Sequence, residues 1–208
     1  MAVGLRTDNP AAGVFIKGLP RKLPGNLLTV SEMQHLYDQY RIQLRVDLSK
    51  KIMLGLFVYQ GLTTDEVGRL QARDLRLNEG KIFIHGGKYR NERWLKLEAV
   101  QMMDLQAYLK ANKFKEGTLL VEQKKGFTGK YNIINQVAWM LKQLREQNPG
   151  VLTAQLLRSS VIAGWLKQYN LRQVQYMAGH RYVSSTQRYE QCNLDDLQNA
   201  LKKYHPMG

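Results

Sequence analysis

The sequence predicts an α+β fold that is mainly helical, with a small three-stranded antiparallel sheet inserted early. Apolar residues recur at helical spacing over most of the chain, and three short strand-like runs occur between residues 74 and 97. Polar segments with glycine or asparagine separate these runs. The length of 208 residues fits one domain, and 44% hydrophobic with 23% charged residues is ordinary for a globular protein.

Residues 1–28 are predicted to be a linker or arm from a missing N-terminal domain, and residues 29–208 to be the domain itself. Four glycines and three prolines break any regular period in the first segment. Four basic residues there suit an arm that lies along DNA, although a solvated tail explains them equally well.

Three helices are predicted before the sheet, because capping residues precede apolar residues at helical spacing. The first begins at Thr29 or Ser31 and ends at Tyr40. The second runs from Asp47 to Tyr59, and the third begins at Thr63 or Thr64. The second is apolar enough to be central. Gly61 ends it.

The predicted strands are Asp74 to Leu77, Lys81 to His85 and Arg93 to Leu97. Helical periodicity then returns over Glu98 to Ala111, Asn132 to Glu146, Thr153 to Tyr169, Leu171 to Ala178 and Leu194 to Tyr204. In the last helix the leucines 194, 197 and 201 form one stripe, which suits packing on its own domain or on a neighbouring copy.

Charge and cysteine content narrow the class of protein. Thirty-one Lys and Arg against seventeen Asp and Glu give a net charge of +14, which favours a polyanionic partner, most often nucleic acid. A ribosome-associated protein or a merely basic surface is the alternative. The single cysteine, Cys192, allows no internal disulfide, and the apolar stretch Ile52 to Tyr59 is too short to cross a bilayer. We therefore expect a soluble, cytoplasmic protein.

The segment from Leu152 to Tyr189 carries the most specific pattern. Arg158 lies within an apolar helix, Gly179-His180 stands at a helix end, and Tyr189 follows nine residues after His180. Each alone has a structural explanation: a surface arginine, a helix C-cap and a packed aromatic ring. The combination is far more specific than its parts.

These residues resemble the tyrosine recombinase (phage integrase) family, whose boxes read H-x-L-R-H, L-G-H and T-T-x-x-Y. In this sequence Q-L-L-R-S, A-G-H and S-T-Q-R-Y stand in those places, ending at Ser159, His180 and Tyr189. Gln155 replaces the first histidine. The resemblance implies the catalytic domain of that family.

The resemblance extends upstream over nearly the whole chain. The family's hairpin G-K-G-x-K-x-R resembles Gly87 to Arg93, and Lys88 takes the place of the family's catalytic lysine. The family's G-L-R-x-x-E-L resembles Gly61 to Val67, and there Thr63 replaces the family's first arginine.

The resemblance implies DNA cleavage and rejoining through a 3′-phosphotyrosyl intermediate, with no metal, cofactor or ATP. Tyr189 would be the nucleophile, Arg158 would clamp the phosphate, and His180 would hydrogen-bond it. Lys88 would be the general acid, and the amide of Gln155 would donate to a phosphate oxygen.

The threonine at position 63 removes one charged phosphate contact, at a cost of roughly 3–5 kcal/mol by analogy with comparable donors. Either another arginine reaches the vacant place, with Arg69, Arg45 and Arg90 as candidates, or the enzyme is slow or inert. We expect activity to survive, because the other site residues are present.

The leading function is site-specific recombination of double-stranded DNA, serving integration or excision of a mobile element. A tetramer is expected on DNA and a monomer is possible in isolation. The competing functions are a non-cleaving DNA-binding protein of the same fold and a type IB topoisomerase-like enzyme, which a supercoil-relaxation assay would reveal. We expect association with the nucleoid, and phosphate contacts or a solvated face for Lys124, Lys125, Lys130 and Lys142.

Overall fold

The computed structural model describes residues 26–40, 45–112, 118–120, 129–150 and 153–190. Within these ranges, only the backbone is described for residues 45–47, 129–132 and 147. Most of the predicted N-terminal arm, the predicted helix Leu194 to Tyr204 with its leucine stripe, and Lys124 and Lys125 lie outside the described residues.

Seven helices are assigned in the part of the chain that the structure describes. They are α1 Val30–Gln39, α2 Arg45–Val58, α3 Thr64–Arg69, α4 Ala99–Ala111, α5 Gly129–Gln147, α6 Ala154–Leu166 and α7 Leu171–Ala178. Residues 184–190 are also helical. The predicted mainly helical fold is confirmed, and α6 is shorter than predicted.

The sheet is antiparallel, in the order β1-β2-β3, as predicted. Its strands are β1 Leu75–Arg76, β2 Lys81–Ile84 and β3 Arg93–Lys96. The predicted strand start at Asp74 is wrong, because residues Ala72–Asp74 form a 3-10 turn in which the Asp74 carboxylate accepts the Gln71 amide at 2.8 Å. β2 and β3 pair from Lys81 with Lys96 to Ile84 with Arg93.

The core is built around α2. This helix packs against α1, α4, α5 and α6. Four of its side chains, Met53, Leu54, Leu56 and Phe57, are completely inaccessible to solvent. The sheet contributes Ile82 and Ile84 to the same core. The predicted central helix is therefore confirmed.

Reciprocal capping fixes the starts of several helices, α7 among them. Thr29 and Glu32 form a capping box at α1, and Thr63 and Glu66 form one at α3. Within the described ranges, none of the helices has the length and apolarity that a membrane span requires.

Candidate active site

The guanidinium of Arg158, on α6, lies inside the protein between the residues that precede α3 and the end of α7. Its side chain is 2% exposed. Nη1 donates to the carbonyl of Gly61, and Nη2 donates to the carbonyl of Ala178 at 2.7 Å and to Nε2 of His180 at 3.3 Å. Arg158 is therefore not a surface residue with a buried stem. It is a fixed charge that ties the start of α3 to the end of α7.

His180 follows the C-terminus of α7. Gly179 closes that helix in the left-handed conformation, at a φ of +66°, and the His180 amide donates to the Gln175 carbonyl at 3.0 Å. Nδ1 of the ring lies 2.8 Å from the Thr186 hydroxyl oxygen. Because arginine only donates, Nε2 must be the unprotonated nitrogen and Nδ1 carries the hydrogen.

The surroundings of His180 keep its ring neutral. Burial, followed by the charges of Arg158, Arg90 and Arg93, lowers the pKa of His180 to about 3. Burial also lowers the pKa of Arg158, to about 9, and the nearby Arg90 adds to this effect. At neutral pH the pair is therefore a charged guanidinium beside a neutral imidazole.

Tyr189 lies on the helical segment 184–190 and stacks against His180. The two ring centroids are 6.1 Å apart and the ring planes differ by 18°. The Tyr189 ring is buried in a small cluster with Ile162, Val174 and Ala178. The structure thus brings together three of the predicted site residues, Arg158, His180 and Tyr189.

A buried acidic residue organises the other side of Arg158. Glu66 Oε1 is 2.8 Å from Nη1 of Arg93, and its Oε2 is 3.8 Å from Nη1 of Arg158. Burial would raise the pKa of Glu66, but the charge of Arg93, its hydrogen bond and the charge of Arg158 together lower the pKa to about 2. Glu66 is therefore ionised and holds both guanidiniums.

Arg93 lies directly beneath the end of α7. Its Nε donates to the Met177 carbonyl at 2.7 Å, and its side chain has no exposed area. A Cβ at Gly179 would be only 2.3 Å from Arg93 Nη1, so both the positive φ and the close approach require glycine there. Arg93 thereby holds the Gly179-His180 backbone at a fixed distance from β3.

Thr63 does not contact Arg158 through its side chain. Its hydroxyl instead lies 3.0 Å from Glu66 Oε2 and caps α3. Of the three arginines considered for the missing place, Arg69 donates to the Gly86 carbonyl at 2.8 Å and pairs with Asp65. The side chain of Arg45 lies outside the described residues. Arg90 lies beside His180.

The tip of the β2–β3 hairpin carries Lys88. Gly87 and Arg90 exchange backbone hydrogen bonds of 2.9 and 3.3 Å, which makes Lys88 and Tyr89 the two central residues of a tight turn. The Lys88 ammonium lies over the Tyr89 ring, 5.3 Å from its centroid. Among the described residues it has no hydrogen bond or ion pair, so the structure does not bring Lys88 into the cluster around Arg158.

Gln155 lies one turn before Ser159 on α6. It is exposed, and its amide nitrogen is 3.4 Å from the Ser159 hydroxyl. Lys142 on α5 is also exposed, with its ammonium 5.7 Å from the Trp139 ring centroid. The side chain of Lys130 lies outside the description.

Comparison with known proteins identifies the family. The model of the phage integrase family matches residues 26–195. This chain belongs to the phage integrase family.

Two curated relatives of this phage integrase chain are tyrosine recombinases. XerA of Pyrococcus horikoshii is 25% identical over 198 residues, which cover 94% of this chain and 67% of XerA. XerC of Psychromonas ingrahamii is 27% identical over 208 residues, which cover 96% of this chain and 67% of XerC. The predicted resemblance to the tyrosine recombinase family is confirmed.

Solved structures support the fold of this integrase chain. A XerA recombinase crystal structure matches with a TM-score of 0.66 at 21% identity, covering 91% of this chain and 68% of that one. XerH site-specific recombinase bound to a palindromic difH substrate, in a post-cleavage complex, matches with a TM-score of 0.66 at 21% identity. That match covers 86% of this chain and 53% of the XerH chain, so this chain spans about half of the length of XerH.

The sequence of this integrase chain does not by itself reveal the roles of Glu66, Arg93 and Thr186. From the sequence, Glu66 is only part of the stretch Gly61 to Val67, and Arg93 is only the start of a predicted strand. A signal was present for the first two: both belong to the family boxes that Gly61 to Val67 and Gly87 to Arg93 resemble. A charged residue inside a predicted strand is a further sign of a buried ion pair.

Proposed function

We propose that this chain is the catalytic domain of a site-specific recombinase that cleaves and rejoins double-stranded DNA through Tyr189. The observation that carries the proposal is the convergence of Arg158, His180 and Tyr189. They come from α6, from the end of α7 and from the segment 184–190, yet they share contacts within one cluster. The net charge of +14 and membership of the phage integrase family support DNA as the substrate.

The fixed guanidinium suits a reaction at a phosphodiester. A planar guanidinium pairs with two phosphate oxygens, and it is strongest where it is already held and shielded from water. Arg158 keeps its position through Gly61, Ala178 and Glu66 before any substrate arrives. Its charge is therefore already nearby when negative charge develops on the nonbridging oxygens.

The cleavage step exchanges one phosphodiester for another. The Tyr189 oxygen bonds to phosphorus, the bond from phosphorus to the 5′ oxygen breaks, and a 3′-phosphotyrosyl link with a free 5′-hydroxyl results. The phenol proton leaves to Nε2 of His180 or to water, and the 5′ oxygen takes a proton from the general acid. Attack by a 5′-hydroxyl of a partner strand reverses the step, so no ATP is consumed.

His180 has a more specific role than a simple donor to the phosphate. In the geometry described, the Nε2 lone pair accepts from Arg158, so Nε2 takes the phenol proton only once that hydrogen bond opens. Once the negative charge of a phosphate lies nearby, protonation of the ring becomes easier and Nε2–H can donate to that phosphate. The hydrogen bond from Nδ1 to Thr186 holds the ring in place in both states.

Lys88 is the proposed general acid, and it must move toward the 5′ oxygen when DNA binds. The tight turn that carries it leaves its ammonium exposed, at the end of a long flexible side chain. Gln155, exposed on α6, is proposed to donate its amide to a nonbridging phosphate oxygen.

Covalent trapping tests the nucleophile. Incubation with a pool of randomly nicked duplex DNA, followed by a denaturing gel, should give a covalent protein–DNA band with the unaltered chain. The Tyr189→Phe variant lacks the attacking oxygen and should give none, while Tyr182→Phe, which changes an exposed tyrosine, should leave the band unchanged. A band that persists in Tyr189→Phe would refute the assignment.

A second function, a DNA-binding protein that does not cleave, is favoured by two specific observations. Thr63 stands where the family has an arginine, and the Tyr189 side chain is only 6% exposed. For that function, tight DNA binding without any covalent band from the unaltered chain is expected in the same assay.

Self-association on DNA belongs to the same proposal. We expect the chain to form a tetramer on its recombination site and to work with an upstream DNA-clamping domain. Sedimentation of the protein with and without duplex DNA would measure this directly.

A further inference from the structure

Thr63 stands in place of an arginine of the family, and the β2–β3 hairpin carries another arginine, Arg90. Thr63 is committed to capping α3 through Glu66, so its side chain cannot serve a phosphate. Arg69 is occupied by the Gly86 carbonyl and by Asp65, and Arg93 by Glu66. These contacts leave Arg90 as the described candidate with a side chain that is not already engaged.

The backbone of Arg90 is fixed against the end of α7. Arg90 and His180 form an antiparallel bridge, and the Asn91 amide donates to the Gly179 carbonyl at 3.0 Å. The turn that begins at Gly87 closes on the Arg90 carbonyl at 2.9 Å. Arg90 therefore lies next to the imidazole that contacts Arg158, although it is 68 positions earlier in the chain than Arg158.

The side chain of Arg90 is half-buried and, among the described residues, has no hydrogen bond or ion pair. Its charge is felt by both neighbours, since it lowers the pKa of Arg158 and the pKa of His180. Arg93 and Arg158 pair with the carboxylate of Glu66, and with the nearby Arg90 this group of four carries a net charge of +2. Such an excess in a partly desolvated place is costly without an anion.

We propose that Arg90 binds a nonbridging oxygen of the scissile phosphate, beside Arg158, in place of the arginine replaced by Thr63. The inference rests on the proposed function, because it names a residue of that same site. Arg90 acts as a phosphate-binding residue and not as a proton donor, because a guanidinium holds its proton at any physiological pH.

Cleavage of nicked duplex DNA in single turnover tests the proposal. Arg90→Ala should lower the rate of covalent adduct formation by about 100-fold or more, the effect typical of a lost charged donor. Thr63→Arg in the Arg90→Ala background should regain at least about tenfold in the rate of adduct formation, because it supplies a guanidinium from position 63 instead of position 90. Arg172→Ala removes an exposed arginine at the start of α7 and should stay within about threefold.

The overturning results are equally specific. If Arg90→Ala cleaves within about threefold of the unaltered chain, Arg90 does not bind the reacting phosphate. Circular dichroism and thermal unfolding show whether Thr63→Arg, which removes the cap of α3, still folds. A folded double variant that regains nothing also contradicts a shared role for the two positions.

A binding measurement separates this inference from the proposed function. If the unaltered chain forms no adduct, the recombinase proposal fails, and titration with inorganic phosphate decides the role of Arg90. The probe is the NMR signal of the His180 ring. Arg90→Ala should weaken phosphate binding by about threefold to tenfold, whereas Arg172→Ala should not. Equal affinity in Arg90→Ala and the unaltered chain would overturn the assignment.

Discussion

The Arg158 guanidinium is held by protein groups on several sides, whereas the hairpin tip that carries Lys88 and Arg90 is held through its backbone. Arg158 is bound by two carbonyls, one imidazole and one carboxylate. The tip is anchored at the carbonyls of Gly86 and Lys88, which accept from Arg69 and Arg181. In the proposed recombinase, Arg158 is in place before DNA binds, whereas Lys88 and Arg90 would be recruited by DNA.

This difference matches the chemistry that each half would perform. A phosphate clamp gains from rigidity, because its charge must already be in place as the transition state forms. A proton donor gains from movement, because it must approach the leaving oxygen only when that oxygen is present. The half-buried Arg90 lies between the two, with a fixed backbone and a side chain that has no hydrogen bond or ion pair within the described part of the chain.

The largest loss of stability is expected from replacing Arg93 in the buried cluster around Arg158. In Arg93→Leu, Glu66 loses its 2.8 Å partner and remains ionised in the interior, so the free energy of unfolding should fall by about 3–5 kcal/mol. Urea denaturation followed by circular dichroism measures the loss. The double variant Glu66→Gln/Arg93→Leu should recover part of it, because the carboxylate that lost its 2.8 Å partner is no longer charged. A loss below about 1 kcal/mol in Arg93→Leu would mean that the ion pair is not an anchor.

Removing the ammonium from the hairpin tip should affect chemistry and leave the fold intact. Lys88→Ala should cleave about 100-fold more slowly, equivalent to about 2.7 kcal/mol, with DNA affinity and unfolding unchanged. A substrate with sulfur in place of the 5′ bridging oxygen should restore the rate, because a thiolate leaves without a proton. Lys110→Ala serves as the control, since it changes an exposed lysine on α4. Slow cleavage of the sulfur substrate by Lys88→Ala would rule out the general-acid role.

A smaller effect is expected from the pH dependence of stability. His180 has a lowered pKa of about 3 in the folded protein, so below pH 6.5 the unfolded chain binds a proton that the folded protein does not. Stability should therefore fall as pH drops from about 6.5. The contribution reaches at most about 1.4 kcal/mol per pH unit, and in practice about 1–2 kcal/mol by pH 4.5, above the range in which Glu66 takes up a proton.

Unfolding free energies at pH 7 and pH 4.5 check this prediction. The loss should shrink in His180→Gln and persist in His85→Gln, which changes the histidine paired with Asp74. An identical pH dependence in His180→Gln and the unaltered chain would show that the ring is not held neutral.

Local patterns predicted most of the fold. Capping residues located the starts of α1 and α3, and the short strand-like runs between residues 74 and 97 located β2 and β3. The errors lie at the ends of elements, where individual side-chain hydrogen bonds decide the backbone path. Asp74, for example, forms a 3-10 turn because its carboxylate accepts a nearby amide.

The site was only partly predictable for a physical reason. Arg158, His180 and Tyr189 lie close together in the sequence and match the family boxes, so their convergence could be expected. Glu66 contacts Arg93, 27 positions later in the chain, and Arg158, 92 positions later. No local period in the sequence reveals such a pairing. The position of Arg90 beside His180 likewise depends on how the hairpin docks on α7.

The most direct test of the account is the chemical identity of the covalent adduct. Protease digestion of the trapped complex, followed by mass spectrometry, should yield a single modified peptide with a 3′-linked phosphonucleotide on Tyr189, and the cleaved strand should carry a free 5′-hydroxyl. A nucleotide on another tyrosine, such as the exposed Tyr176 or Tyr182, or a 5′-phosphate link, would contradict the convergence of Arg158, His180 and Tyr189 on one phosphodiester.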